Sequence, residues 1–552
     1  MTVFTLALCA GGLLTTRLGV YDDSLLLLGA KLAGAGWLPL RDFYTHYGPL
    51  GYTLLAPVLK WLVNPGLALR VAQSGALIVV AALFGLAARR SDVTPGSLAF
   101  PAAVAALSPA FAVPAFLGFG IAAAATALSL CGRAAAGARR PESWPWPWIA
   151  GVGAMLAACA LTRPAFAVYV AASFGVIEFT VFGRTALRRL ALVFVAATAV
   201  TAGLWLILYR DIPLRDALVE VAITPARLLA LRRFVPGLAL ENLALTLPIA
   251  AAIAAAPLLW SLAAPSRAGR RVAAYAIAAG AAAPLLLRHP IPWLPSPVLA
   301  GVAFAASALL VWLERDALRA SPTLCAAAAL GATSAAFSHY FWSRPDVHHV
   351  YPMLGLAAAS TAFAWGRLRV PARAAALAAF ALAFYPLDSG PGFPGAELWQ
   401  GGFAAIRANA SRPGARLKTI WPAGEVPSPP VEAVRLADHL ADRGSRFVAY
   451  GNDQSWTPGD PVYIFLLSSR PPYTKWFQYD PGLQSSPQIQ QEMIRELESS
   501  GSRSAVVWRS ESYFFDPRPS AAAARSPFDA YVDRVYANVV GRFGNYEVRT
   551  RD

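Results

Sequence analysis

The chain has 552 residues, 57% of them hydrophobic and 14% charged, with a formal net charge of +16. That composition excludes a soluble domain of this length and points to a polytopic membrane protein. The positive charge does not imply nucleic acid, because the arginines stand in short clusters between apolar runs, which is the positive-inside pattern.

Apolar runs of about 17–25 residues, each long enough to cross a bilayer, recur from the N-terminus to residue 388. Spans are expected near 1–20, 67–88, 97–116, 118–137, 147–163, 165–183, 190–208, 242–263, 272–287, 293–313, 321–338, 349–366 and 371–387. Residues 1–20 lack a basic n-region, and Leu8 stands before Cys9 where a lipoprotein signal has a small residue, so they read as a retained first span. The clusters Arg89/Arg90, Arg133/Arg139/Arg140, Arg184/Arg188/Arg189, Arg267/Arg270/Arg271, Arg315/Arg319 and Arg367/Arg369/Arg373 then fall on one side, assigned to the cytoplasm. With about thirteen spans, an odd number, the tail reaches the outer face. So do the loop after the first span, residues 209–241, and "SHYFWSRPDVHHVYP" (338–352). Residues 209–241 are themselves basic, which also suits a helix lying in the interface. Cys9, Cys131, Cys159 and Cys325 all lie in apolar runs, so no disulfide framework is implied. The expected fold class is an all-α polytopic membrane domain over 1–388, followed by a small soluble α/β domain over 389–552.

The first outer loop, "YDDSLLLLGAKLAGAGWLPLRDFYTHYGPLGY" from Tyr21, holds the acids Asp22, Asp23 and Asp42. Asp22, Asp23 and Ser24 suit a helix N-terminus, where a carboxylate meets the positive end of the dipole. Gly34 and Gly36 end that helix and Pro39 fixes a turn. A second surface helix is expected from Asp42 onward, with Pro49 near a start. Solvated helix capping is one reading of the acid pair. The other is chemical: a carboxylate near the hydrocarbon boundary costs about 2.5–3.5 kcal/mol at depth, so such acids tend to be functional. One acid could cap or orient while its neighbour takes a proton from an attacking hydroxyl. On the expected second helix, Asp42 and His46 lie one turn apart, beside Tyr47. These and the nearby aromatics suit either an interfacial belt or a sugar-binding wall.

Farther along, Arg163 stands in "LTRPAF" between two spans, as a plain loop arginine or as a phosphate contact. The segment 338–352 carries Arg344, His348 and His349, with His339 and Asp346. It has no HExxH spacing and no clear fourth ligand, so a cation site for phosphate fits it better than a metal site. In the tail, "RFVAYG" (446–451), "SAVVWR" (504–509) and "YEVRT" (546–550) read as strands. "PPVEAVRLADHLADRG" and "SPQIQQEMIRELESSG" read as amphipathic helices closed by glycine. No phosphate-binding glycine fingerprint follows a strand.

The first span followed by the acidic pair, a glycine-containing helix, and "RDFYTHYGPL" resembles the first outer loop of GT-C fold membrane glycosyltransferases. The likeness is to the bacterial branch related to protein O-mannosyltransferases and the aminoarabinose transferase, with the proline element here in its "YGPL" form. "RPDVHH" resembles the outer-loop Arg/His segment of bacterial relatives, and "FLLSSRPPYTKW" resembles their appended soluble domains. The resemblance implies a GT-C-like membrane domain that transfers a sugar from a polyprenyl-phosphate donor at the outer face of the cytoplasmic (inner) membrane. The acceptor would be a glycan, a lipid or a protein. Asp22 or Asp23 would be the base, with Asp42 as second acid. His46, Tyr47, Arg163, Arg344, His348 and His349 would bind substrate, the cations holding the departing phosphate. No metal or other cofactor is required, and the divalent ion that some GT-C enzymes hold with such acids stays open. Two other functions compete: a transporter or flippase of a lipid-linked saccharide, which predicts repeats and midplane charges, and a non-catalytic envelope-assembly protein, whose acids would be dispensable.

Overall fold

The computed structural model describes residues 22–45, 47–62, 65–91, 117–136, 146–223, 296–343, 347–370, 373–374, 431–443, 447–451, 465, 468, 470–477, 486–500, 503–508, 527–544 and 546–551. The expected spans 1–20, 97–116, 242–263 and 272–287, nearly all of 371–387, and the boundary at 388 lie outside the described residues.

In chain order the helices are α1 (Asp22–Gly34), α2 (Leu50–Trp61), α3 (Pro65–Arg89), α4 (Leu117–Ala136), α5 (Trp146–Thr162), α6 (Pro164–Phe182) and α7 (Thr185–Leu208). A short turn, Leu214–Leu218, leads into a π-helical turn, Val219–Ile223. Then come α8 (Ser296–Leu313), α9 (Pro322–Ser343) and α10 (Val347–Ala364). The remaining elements are α11 (Val431–Arg443), β1 (Phe447–Gly451), α12 (Pro487–Ser500), β2 (Ser504–Trp508), α13 (Pro527–Val535), β3 (Asn538–Phe543) and β4 (Tyr546–Thr550). Two compact units form. One takes Met1–Thr16, Gln73–Leu208 and Arg232–Gly402; the other takes Arg17–Ala72, Tyr209–Leu231 and Phe403–Asp552.

The first unit is helical, and its core is built on small residues. α9 buries Cys325 through Leu330, mostly alanine, against α4, α6, α8 and α10. Small side chains let helix backbones approach, which is how apolar helices gain contact without a difference in hydrophobicity from lipid. Gly153 on α5 shows the limit: a Cβ there would stand 2.7 Å from Ala196 Cβ on α7. Serines bridge helices, with Ser360 Oγ donating to the Ala327 carbonyl at 2.7 Å. Four described helices (Ala68–Arg89 within α3, Gly118–Ala136 within α4, α6 and α7) are long and apolar enough to cross a membrane. α7 exposes Phe194, Val195, Leu206 and Ile207, the pattern of a lipid-facing helix. Among the described residues of this unit, some buried charge is paired. Glu178 is fully buried between Arg133 and Arg189, which lies at 3.4 Å, and Arg319 Nε donates to the Val181 carbonyl at 2.9 Å. Members of three expected same-side arginine clusters thus converge.

The second unit joins α1, α2 and the start of α3 to a mixed sheet of order β1-β2-β4-β3. β1 and β2 run parallel, which requires a crossover, and α12 lies within it. The other two pairings are antiparallel. β3 is an addition to the three expected strands, joined to β4 through Gly544 at φ 56°, where glycine carries no Cβ penalty. Val506 of β2 belongs with Val548, Leu436 and Leu440 in a cluster that also holds Leu25, Leu28, Phe43 and Tyr52. Its neighbours Ala505 and Val507 belong with Met493 and Leu497 of α12 and Phe528 and Val532 of α13. A strand buried on both faces explains the unbroken apolar run "SAVVW".

Candidate functional site

α1 begins at Asp22, so the acid pair stands inside its first turn rather than ahead of it. Asp23 is buried, and its Oδ2 accepts from Arg70 Nη2 of α3 at 2.9 Å. With 8% and 4% of these side chains exposed, this is an ion pair sealed from solvent that ties α1 to α3. Such a pair holds only because each charge compensates the other. Sequence reasoning passed over Arg70, although an arginine within an expected span is itself the signal.

The helical spacing expected for Asp42 and His46 does not form, because helix α2 starts only at Leu50, after Pro49. Residues 38–45 make a tight loop instead. The Asp42 N–H donates to the Leu38 carbonyl at 2.8 Å, and the Leu40 N–H to the Phe43 carbonyl at 2.8 Å. Leu40 holds φ 70°, a conformation disfavoured for a branched side chain. The Asp42 carboxylate closes the loop by accepting from the Leu38 N–H at 2.7 Å and from Arg41 at 2.8 and 2.9 Å. Desolvation pushes its pKa up, but the Arg41 fork, the Leu38 amide and the Lys475 charge outweigh that and hold it below the usual value.

Tyr47 donates its N–H to Thr45 Oγ1 at 3.0 Å, and Thr45 shares a 2.5 Å hydrogen bond with the Tyr52 hydroxyl. This carries α2 into the loop. His46 and Arg344 lie outside the described residues, while His348 and His349 stand in the first turn of α10.

The helical unit has a polar group of its own. Arg163 precedes α6 in extended backbone, and Pro164 at the first helical position fixes the start. Its guanidinium carbon lies 4.8 Å from the Phe166 ring centre and 4.6 Å from that of Tyr340. A guanidinium stacked on rings bonds through its planar edge, the geometry that suits phosphate. The Tyr169 hydroxyl meets His339 Nδ1 at 2.5 Å. Arg163, Tyr169, His339 and Tyr340 are all half-buried. Tyr169 and Tyr340 had no signal in the sequence beyond their aromatic character.

No protein-family model and no curated protein matches the chain. Solved structures do. ArnT from Cupriavidus metallidurans, bound to undecaprenyl phosphate, is 14% identical with a TM-score of 0.50, over 99% of this chain and 96% of that one. Its apo form gives 13% and 0.50 over the same shares. The architecture is therefore the GT-C fold that the first-loop motif implies. The Archaeoglobus fulgidus oligosaccharyltransferase, tethered with an acceptor peptide, is 12% identical with a TM-score of 0.46, over 92% of this chain and 69% of that one.

Proposed function

We propose that this GT-C chain is a membrane glycosyltransferase that moves a sugar from a polyprenyl-phosphate donor to an acceptor at the outer face of the inner membrane. About thirteen spans carry the chemistry in this reading, and the tail forms an extracytoplasmic α/β domain. The acceptor class and the sugar are left to experiment.

The observation that supports it most is the buried Asp23–Arg70 pair at 2.9 Å, immediately beside Asp22. Because that tie engages Asp23, it supports Asp22 as the residue that takes the proton. The acceptor hydroxyl gives its proton to the Asp22 carboxylate while its oxygen bonds to the sugar's anomeric carbon. The bond from that carbon to the phosphate oxygen breaks, and polyprenyl phosphate leaves with the electron pair. Asp42, held ionised by Arg41, accepts from sugar hydroxyls beside His46 and Tyr47. Arg163, with His339 and Tyr169 beside it, and Arg344, His348 and His349 hold the phosphate as its charge grows. This route needs no metal.

Single replacements of Asp22, Asp23 and Asp42 by Asn, assayed for sugar transfer in membranes supplied with a polyprenyl-phosphate donor, test the assignment. Asp22→Asn is expected to lower kcat by about 10²–10⁴-fold, the contribution of a general base. A loss of only a few-fold in every variant would overturn it.

A further inference from the structure

In the second unit, one tail residue touches three stretches far apart in sequence. Lys475 accepts from the Tyr44 N–H through its carbonyl at 2.9 Å. Its own N–H donates to Glu496 Oε2 of α12 at 3.0 Å. Its ammonium pairs with Glu220, in the turn after α7. The contact continues along the chain: the rings of Tyr44 and Trp476 lie 4.9 Å apart, and those of Phe43 and Phe477 6.2 Å. Phe43 and Tyr44 are both fully buried. These two residues follow Asp42 and precede His46 and Tyr47, in a loop that has no helix or sheet of its own.

We infer that Lys475 is a positioning residue, through which the tail holds the Asp42–Tyr47 segment in place for transfer. The catalytic consequence rests on the glycosyltransferase reading above; the holding does not.

The charges around Lys475 give the hold a pH dependence. Asp42 of the first loop, Glu220 after α7 and Glu496 of α12 feel its charge; around these, Arg41 acts on Asp42, Asp216 and Glu492 on Glu220, and Glu492 on Glu496. Burial pushes Glu220 up to about 7 against the opposing Lys475 charge, with Asp216 and Glu492 adding to the rise. Burial likewise pushes Glu496 up to about 7, opposed first by the Lys475 amide. A carboxylic acid whose pKa is raised in the closed arrangement binds a proton that it releases on opening. Opening is therefore favoured as pH climbs from the ordinary carboxylate range to about 7, by up to about tenfold per pH unit for each proton released.

Hydrogen exchange over residues 41–49 of the full chain, corrected for intrinsic rate and followed from below to above neutral pH, reads the hold directly. Transfer kinetics read its consequence. Lys475→Met should speed exchange there several-fold and lower kcat more than it raises KM, and Lys475→Arg should restore both. Glu220→Gln, nearly the same shape, should flatten the pH slope of exchange, and it decides the matter even if Lys475→Met fails to fold. Unchanged exchange in Lys475→Met, or an unchanged slope in Glu220→Gln, overturns the inference while leaving the glycosyltransferase reading intact. Faster exchange in Lys475→Met, together with no sugar transfer by the wild-type chain, keeps the hold and sinks that reading instead.

Discussion

Adjacent acids can serve different ends when one of them has a buried partner. Replacing Asp23 with Asn leaves the Arg70 guanidinium buried without its carboxylate, which costs about 3–5 kcal/mol. Asp22→Asn removes a charge from the first turn of the helix, worth about 0.3–1 kcal/mol to the helix dipole. Thermal unfolding in detergent should therefore show a clear drop for Asp23→Asn and little change for Asp22→Asn, the reverse of their expected order in transfer rate. Combining Asp23→Asn with Arg70→Gln should recover part of the lost stability, because the stranded charge goes too. Equal melting temperatures for the two single variants would remove the tie from the explanation. Asp42 contrasts with Asp23: its partner Arg41 is its neighbour in sequence and half open to water, so that ion pair shapes a loop more than it stabilises the protein.

At the scale of elements, the α1–α2 hairpin rests on a glycine. A Cβ at Gly29 would stand 2.4 Å from two Tyr52 ring carbons and 3.3 Å from the Phe43 ring. Tyr52 is fully buried and its hydroxyl is bonded to Thr45, so it cannot swing away without disturbing the loop that carries Asp42. Gly29→Ala is expected to destabilise by about 1–3 kcal/mol, as overpacking does. A denaturation midpoint equal to wild type would show that the two helices part easily. In the helical unit the comparable element-level device is charge: Glu178 holds Arg133 and Arg189 together from α4 and α7, which share no sequence proximity.

For the whole molecule, the grouping of first loop with tail carries the consequence. Leu25, Leu28, Phe43 and Tyr52 share one cluster with Leu436, Phe465, Phe477 and Val548. Ending the chain at residue 402 would turn that cluster's first-loop half toward water, where each large apolar side chain forfeits about 1.5–3 kcal/mol. The truncated chain should accumulate poorly, or be cut by protease within residues 38–49 under conditions that spare the full chain. A shortened chain that stays monodisperse and protected there would mean the first loop is stable alone.

Composition and periodicity determine much here without help. Apolar runs too long for a soluble core demand a membrane, while the GT-C fold is suggested not by composition but by the resemblance of "RDFYTHYGPL" behind an acidic pair to that family's first outer loop. Strands β1 and β2 are legible as apolar, β-rich runs between turn residues, and β4 as a run in which apolar and polar residues alternate. Partnership between distant residues is not legible. Nothing in Asp23 names Arg70, 47 positions on, and nothing in Lys475 names Glu220 or Tyr44. The helix expected to start at Asp42 fails for the same reason: local spacing allowed it, but the Leu38–Asp42 bonds and the Lys475 segment of the tail favoured a loop. Propensity is a sum over neighbours in sequence, whereas a buried charge or a tight loop is settled by whichever group packing brings within hydrogen-bond reach.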